Sequence, residues 1–407
     1  MLCSAIMNKR AFATIFLMLL MDLLGFGMII PILPFYAQKY GANAFEIGVL
    51  MGCFSFFQFA LAPVWGRASD FFGRRPILLI CIFGSSIAYV LLGLADSYLQ
   101  LLITRSLAGA FAANIATGYA YVSDTISPSH RTKAMGLLGA AMGVGFTIGP
   151  AIGALLSKDG FALPNYVAAS ISLVNFTFGW IWLKEPAGLK EKRQKLRNEK
   201  KFRFETFFKV MNHLPSQVGI VVFFLYTLAL TQMEVMFAVY MGDFFGFNAE
   251  STGYLMFAMG MIMILIQGGL IGRLVAKFGE RSLLQTGLVI SIVALVLYAF
   301  SSQFLWLSVT SLCALAAGRG VLQPNMTTLA TYQVDPTLRG VTMGFYQAGS
   351  SLARVLGPIT AGWLYYEFTP ATPFLVGAGY VVCALVYFLA LSSRLPAFLK
   401  DPAERQS

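Results

Sequence analysis

Residues 127–153 read SPSHRTKAMGLLGAAMGVGFTIGPAIG, and residues 335–361 read DPTLRGVTMGFYQAGSSLARVLGPITA. Pro, Arg, Met-Gly and Gly-Pro recur in register, as Pro128 and Pro336, Arg131 and Arg339, Met135-Gly136 and Met343-Gly344, and Gly149-Pro150 and Gly357-Pro358. The offset is about half the length of a 407-residue chain, so the protein is two copies of one unit. A looser echo supports this: GRASDFFGRR at 66–75 returns as GRLVAKFGER at 272–281. Half-length repetition in an apolar chain points to a transporter built from two related bundles.

Composition gives the solvent. Hydrophobic residues make up 57% of the chain and charged residues 12%, far less charge than a soluble domain carries, so this is a membrane protein. Apolar runs long enough to cross the hydrocarbon core as helix fall near 11–36, 45–66, 76–95, 98–122, 133–157 and 163–183. A second six fall near 216–242, 251–272, 282–301, 304–331, 340–366 and 372–393. The expected fold is all-α, with twelve transmembrane helices in two pseudo-symmetric six-helix bundles. The domains expected are a first bundle over 1–183, a basic linker over 184–215, and a second bundle with a short tail over 216–407.

Lys and Arg set the orientation. Of 29 basic residues, 24 fall at one set of helix ends; the opposite loops hold Lys39 and Lys158, and Arg105, Arg319 and Arg354 lie inside predicted helices. Both termini are therefore expected in the cytoplasm. The net charge of +11 does not imply nucleic acid, because ten basic against four acidic residues between Lys184 and Lys209 supply over half of it in one linker. There Phe202, Phe204, Phe207 and Phe208 among Lys and Arg suggest an amphipathic helix against anionic lipid. The opening MLCSAIMNKR precedes a span too long for a signal-peptide core, with no small-residue cleavage site after it, so it is expected to be retained.

Catalytic chemistry is poorly served. Five scattered cysteines form no CxxC, and His130 and His213 both fall in predicted loops. A zinc site, disulfide framework or Ser-His-Asp triad within the membrane is excluded on those grounds, and no GxxxxGK[ST] phosphate loop is present. The chain is read as a non-enzyme without cofactor or metal. Its partners are a small-molecule substrate, protons and the bilayer, and it is expected to act as a monomer.

Three motifs carry mechanism. In GRASDFFGRR, Gly66 admits a neighbouring backbone, Gly73 admits a positive φ, and Asp70 can cap a helix or pair with Arg74. Asp124 ends the fourth span within reach of Arg74 and Arg75, so Asp70, Arg74, Asp124 and Arg131 form a candidate charged latch. Along the fifth span, Gly139, Gly143, Gly145, Gly149 and Gly153 give a smooth packing stripe, and Pro150 breaks the helix ladder. In MDLLGFGMIIPILP, residues 21–34, Asp22 is the one acid of the first span. It lies 12 residues past Arg10, roughly 18 Å into the membrane. An ionised carboxylate there costs on the order of 2.5–3.5 kcal/mol and marks a pathway by default.

The loop GRASDFFGRR resembles the G-x-L-a-D-r-x-G-r-r signature of the major facilitator superfamily, with Ala68 and Phe71 as departures and Ala276 where the second copy would carry the acid. The segment from Gly145 to Gly153 resembles the g-x-x-x-G-P-x-x-G signature of antiporters in that superfamily, and residues 21–34 resemble the first helix of tetracycline/proton antiporters. LITRSLAG at 102–109 resembles the fourth-helix R-x-x-x-G motif, which implies a part for Arg105 in proton coupling. The resemblance implies alternating access, a cytoplasmic gate at the loop, and proton-driven export of a small amphiphilic compound such as a drug, metabolite or siderophore, across a bacterial inner membrane. It does not extend to tetracycline itself, since the third and ninth spans carry no acid.

The halves differ in their charges. Glu234 is the lone acid of the predicted seventh span and a second candidate for protonation or for a cationic substrate. Arg319 and Arg354 have no basic counterpart in the first half, where Phe111 and Phe146 stand. Together with Asp22, Arg105 and Glu234 they are the candidate lining of the substrate site. Two extra cations suggest an anionic substrate or compensation for Glu234, and uptake of an anionic nutrient by symport or facilitated diffusion is the rival function.

Overall fold

The computed structural model describes residues 9–112, 114–126, 128–186, 204–335 and 338–395, with the backbone alone at 9–11, 114–116, 128–133, 136 and 204–207. Arg131 thus has no described side chain, and most of the basic linker lies outside the described residues. Among them, all regular structure is helical. The first half runs through α1 (Lys9–Ile29) with α2 (Leu33–Lys39), α3 (Ala44–Phe72), α4 (Arg74–Gly93), α5 (Tyr98–Phe111) with α6 (Asn114–Thr125), α7 (Pro128–Leu156) and α8 (Ala162–Trp182). After a short α9 (Phe204–Asn212), the second half runs through α10 (Leu214–Phe245), α11 (Ala249–Leu265), α12 (Ile271–Ala299), α13 (Leu305–Thr331), α14 (Arg339–Glu367) and α15 (Thr372–Ser392). Eight stretches are apolar and long enough to cross a membrane by length and composition alone. The fold is that of twelve helices in two bundles, α1–α2 and α5–α6 each counting as one broken helix and Gly279 dividing α12.

The helix breaks have local causes. Pro31 lies in the turn between α1 and α2, and Pro34 in the first turn of α2, where its missing N–H costs no helix bond. The α3–α4 turn rests on Gly73 (φ 117) and the equivalent break in α12 on Gly279 (φ 74), a region open to glycine. Pro63 lies inside α3. At the corresponding depth of the second copy the ladder slips into a π-turn at Ile266–Leu270, containing Gly268 and Gly269. The eighth span therefore runs on to residue 278, well past the expected 272.

By packing, the chain divides into two units. Unit 1 lies within Met1–Ala42, Cys53–Lys200 and Asn248–Phe257, and unit 2 within Asn43–Gly52, Lys201–Phe247 and Ala258–Ser407. Each unit holds one short segment from the other sequence half, and both segments start at an asparagine. Asn43 and Glu46 form a reciprocal capping box at the start of α3 (2.8 and 2.9 Å). Asn248 accepts from the Ser251 N–H (2.9 Å) at the start of α11.

Glycines explain why these segments settle where they do. In unit 1, a Cβ on Gly253 would meet the Pro150 carbonyl oxygen at 2.7 Å and the Ala154 Cβ at 2.6 Å. In unit 2, a Cβ on Gly48 would lie 3.1 Å from the Gly362 Cα, and one on Gly52 would lie 2.7 Å from the Ile359 side chain. The Gly-Pro turn of each repeat thus receives the glycine-bearing helix start that the other sequence half supplies.

The same repeats seat the first helix of each half. A Cβ at Gly149 would lie 2.9 Å from the Gly27 Cα, and one at Gly145 would lie 2.7 Å from the Leu23 Cβ, so α7 meets α1 at backbone distance. Gly153 continues the contact against Met28. Gly357 plays the matching part in unit 2, against Thr231 and Leu228 of α10. The stripe expected along the whole fifth span is narrower than its sequence: a Cβ at Gly139 or Gly143 would meet no atom within 4 Å, so the close contact is confined to Gly145, Gly149 and Gly153. Gly66 likewise has no close neighbour, so no backbone approaches it here.

Gly149→Ala should therefore destabilise the protein by about 1–3 kcal/mol through overpacking. Gly139→Ala should be neutral or slightly stabilising, since alanine is the better helix former. Thermal unfolding of the purified variants in detergent separates the two, and equal effects would contradict the α1–α7 contact.

Candidate functional site

Three charged clusters lie on this frame, two in unit 1 and one in unit 2. The first surrounds the α3–α4 turn. Arg74, largely buried, spends its guanidinium on three partners: Asp70, Asp124 at 3.0 Å through Nε, and the Ser69 hydroxyl through Nη1. Ser69 in turn donates to the Gly66 carbonyl (2.8 Å). Asp70, Arg74 and Asp124 are thus brought together, one cation between two carboxylates. Arg75 turns away and donates to the Trp180 carbonyl (2.7 Å), with its guanidinium over the Trp180 ring.

Sequence reasoning missed Glu185. Its carboxylate accepts from the backbone N–H groups of Arg74 (2.6 Å) and Arg75 (2.9 Å), the orphan donors at the start of α4. It occupies the space a Cβ on Gly73 would need, 2.8 Å away. Gly73 is required twice over, by its φ and by this approach. The contact spans more than a hundred residues, and only an acid just past the end of the sixth span hinted at it. Tyr121, donating to the Lys184 carbonyl (2.8 Å), holds the same segment against α6.

The second cluster lies deep in unit 1. Asp22, 8% exposed, sits where α7 grips α1. Tyr89 of α4, fully inside, feels the charges of both Asp22 and Arg105, and its ring edge lies beside Gly25. Arg105, 1% exposed, lies 4.3 Å over the Phe54 ring and 5.7 Å from that of Phe26, and these two rings stack on each other at 4.8 Å. Its Nε and Nη1 have no hydrogen-bond partner among the described residues. The R-x-x-x-G spacing has a physical basis here: one turn after Arg105, Gly109 lets α5 ride onto the backbone of Phe54, a Cβ there coming within 2.9 Å of the Phe54 Cα. Phe54 is thereby set under the cation.

The third cluster lies in unit 2. Glu234 of α10 pairs with Arg319 of α13, and both side chains remain about one-third accessible (37% and 33%). Arg354 of α14 lies in the field of both and is exposed. Thr231, one turn before Glu234, donates to the Ala353 carbonyl (3.2 Å), which ties α10 to α14 beside Arg354. Helix α10 extends to Phe245 and so also carries Asp243, which accepts from the Tyr365 hydroxyl at 2.6 Å. Asp22 and Arg105 therefore belong to one unit, and Glu234, Arg319 and Arg354 to the other.

A family model described as the Major Facilitator Superfamily matches residues 15–271 and 268–407. The chain is 28% identical over 357 residues to the class B tetracycline resistance protein of Escherichia coli, covering 86% of this chain and 87% of that one. It is 28% identical over 378 residues to multidrug resistance protein 2 of Bacillus subtilis, covering 91% and 92%. Among solved structures, the human organic anion transporter MFSD10 superposes with a TM-score of 0.70 at 24% identity, over 93% of this chain and 99% of that one. The nucleoside transporter NupG superposes with a TM-score of 0.73 at 14% identity, over 95% and 99%. At those identities the structures speak for the fold alone.

Removing the Glu185 carboxylate strands two N–H groups at the start of α4. Glu185→Ala should cost about 1–2 kcal/mol of stability, and Glu185→Gln, which keeps one acceptor oxygen, less. Thermal unfolding in detergent reads the difference; an unchanged midpoint for Glu185→Ala would show the contact to be idle.

Proposed function

The chain belongs to the Major Facilitator Superfamily, and from that premise we propose that it is a proton-coupled antiporter exporting a small amphiphilic organic compound by alternating access. As a member of that family it is a multi-pass membrane transporter and not an enzyme. Its relatives include proteins named for tetracycline and multidrug resistance, which favours export over uptake.

The observation that carries the proposal is the Asp22–Tyr89–Arg105 group in the apolar interior of unit 1. An ionised carboxylate at that depth is costly, and a proton removes the cost. Arg105 cannot give up its own proton, and cushioned on Phe26 and Phe54 it stays a fixed positive charge near Tyr89. Protonation gives Asp22 a neutral state, and Tyr89, which feels the charges of both Asp22 and Arg105, connects the two groups. A group that exchanges a proton without unfolding its surroundings is what an antiporter needs. The backbone contact of α1 with Gly145, Gly149 and Gly153 ties this carboxyl to the helix that meets Gly253 through Pro150, so its charge state acts on a moving part.

The Asp70–Arg74–Asp124 cluster serves in this reading as the gate of the basic end, which the distribution of Lys and Arg assigns to the cytoplasm, with both termini on that side of a bacterial inner membrane. Partly buried pairs in a network can bias two states that differ by a few kcal/mol. Arg131, whose side chain is not described, is assigned to the same gate on sequence grounds alone.

The test is transport in liposomes holding the purified full-length protein, with the membrane potential clamped by potassium and valinomycin. Under antiport an amphiphilic substrate, tetracycline among the panel, accumulates in the acidic compartment; under symport it accumulates in the alkaline one. Asp22→Asn should reduce gradient-driven accumulation to background while substrate exchange without a gradient continues. Accumulation that survives Asp22→Asn would remove Asp22 from the coupling role.

A further inference from the structure

In unit 2, one acid faces two cations, and the structure divides them unequally. Glu234 takes Arg319 as its ion-pair partner. Arg354 feels both charges but makes no hydrogen bond or ion pair with any described residue. The three charges leave one positive charge over. The guanidinium keeps all five N–H donors unspent, midway along a 29-residue helix whose sequence spans the membrane.

The direction in which Arg354 points follows from the rest of α14. The helix has two accessible faces. One carries Leu352, Leu356 and Trp363, 41%, 41% and 47% exposed, and is apolar throughout, as a lipid-facing surface must be. At about 100° per residue, Arg354 lies on the far side from Leu352, sharing its side of the helix with Gln347 two turns earlier and Ser351 one turn earlier. On the neighbouring α13, Arg319 is followed one turn later by the exposed Gln323. Exposed amides and guanidinium groups at such depth are tolerated where they meet water rather than hydrocarbon. An accessible, uncompensated, fork-shaped cation is a receptor for an anion that presents two oxygens side by side, which it can hold through two parallel N–H···O bonds.

Resting on the transport reading of this chain, we infer that Arg354 binds the anionic group of the substrate, so that the exported compound is an amphiphilic organic anion bearing a carboxylate or sulfonate. Glu234 holds Arg319 back from the anion and limits the site to a single charge. Gln323 and Gln347 offer neutral donors around it.

Saturation binding to the purified full-length protein in detergent, read by thermal stabilisation, tests this with one skeleton in three charge states: 2-naphthoate, 2-naphthamide and 2-naphthylmethylammonium. The carboxylate should bind and the ammonium should not. Arg354→Gln should weaken 2-naphthoate by at least about tenfold, or about 1.4 kcal/mol, with Arg354→Lys intermediate because it keeps the charge and loses the fork. Ser351→Asp leaves Arg354 in place and gives it a carboxylate one turn away; it should compete with the anion and weaken binding similarly. Preferential binding of the ammonium, no saturable binding of the carboxylate, or an Arg354→Gln variant with wild-type affinity would overturn the inference. Because no gradient is present, anion binding without coupled transport would defeat antiport alone, and gradient-driven movement of a cation would defeat anion recognition alone.

Discussion

Moving a charge from water into hydrocarbon costs several kcal/mol, so every charge inside a bilayer must be paired, wetted, cushioned or neutralised. This chain offers an example of each solution, and of pairing more than once, since Glu234 also pairs with Arg319. Arg74 is paired, between Asp70 and Asp124. Arg354, exposed on the face of α14 that carries Gln347, is the one we propose to be wetted. Arg105 is cushioned, on the faces of Phe26 and Phe54. Asp22, in its proposed coupling role, is neutralised by a proton. Which solution a charge takes decides what it can do: paired groups hold positions, a wetted one waits for a counter-ion, and one relieved by a proton can carry that proton.

What keeps these charges in place is backbone meeting backbone. In both halves the Gly-Pro turn of the repeat seats the first helix of its own half and receives the glycine-bearing start of a helix from the other half. Gly149 faces Gly27, five residues beyond Asp22, and Gly357 faces Thr231, one turn before Glu234. Asp22 and Glu234 therefore both stand near close helix contacts within their units. Packing without side chains leaves little slack beside these acids.

The repeat, the helix count and the special geometry at Gly73 were legible in sequence because each depends on residues close together along the chain. Periodicity reports a span, and a glycine in a charged loop reports a turn. Partners distant in sequence were not legible. Glu185 reads as one more acid in a charged linker, and only folding reveals that it caps α4. The five glycines of the fifth span look equivalent, yet only Gly145, Gly149 and Gly153 meet α1. The excess of cations in the second half was visible, but which arginine Glu234 would claim was not, since Arg319 and Arg354 lie on different helices. The π-turn near Gly268 and Gly269 was hidden too, because the first copy carries Pro63 at that depth and stays one helix through it.

The proposed proton site, Asp22, and the proposed anion site, Arg354, belong to different units and require a link between them, whose sign antiport would set: binding of one ligand must disfavour the other. Counting the protons released when the full-length protein, weakly buffered in detergent at neutral pH, is saturated with 2-naphthoate measures that link most directly. The account predicts release of up to one proton per protein, lost in Asp22→Asn although the anion still binds. Undiminished release from Asp22→Asn, or anion binding by the wild type with no proton released at any pH at which it is folded, would contradict it.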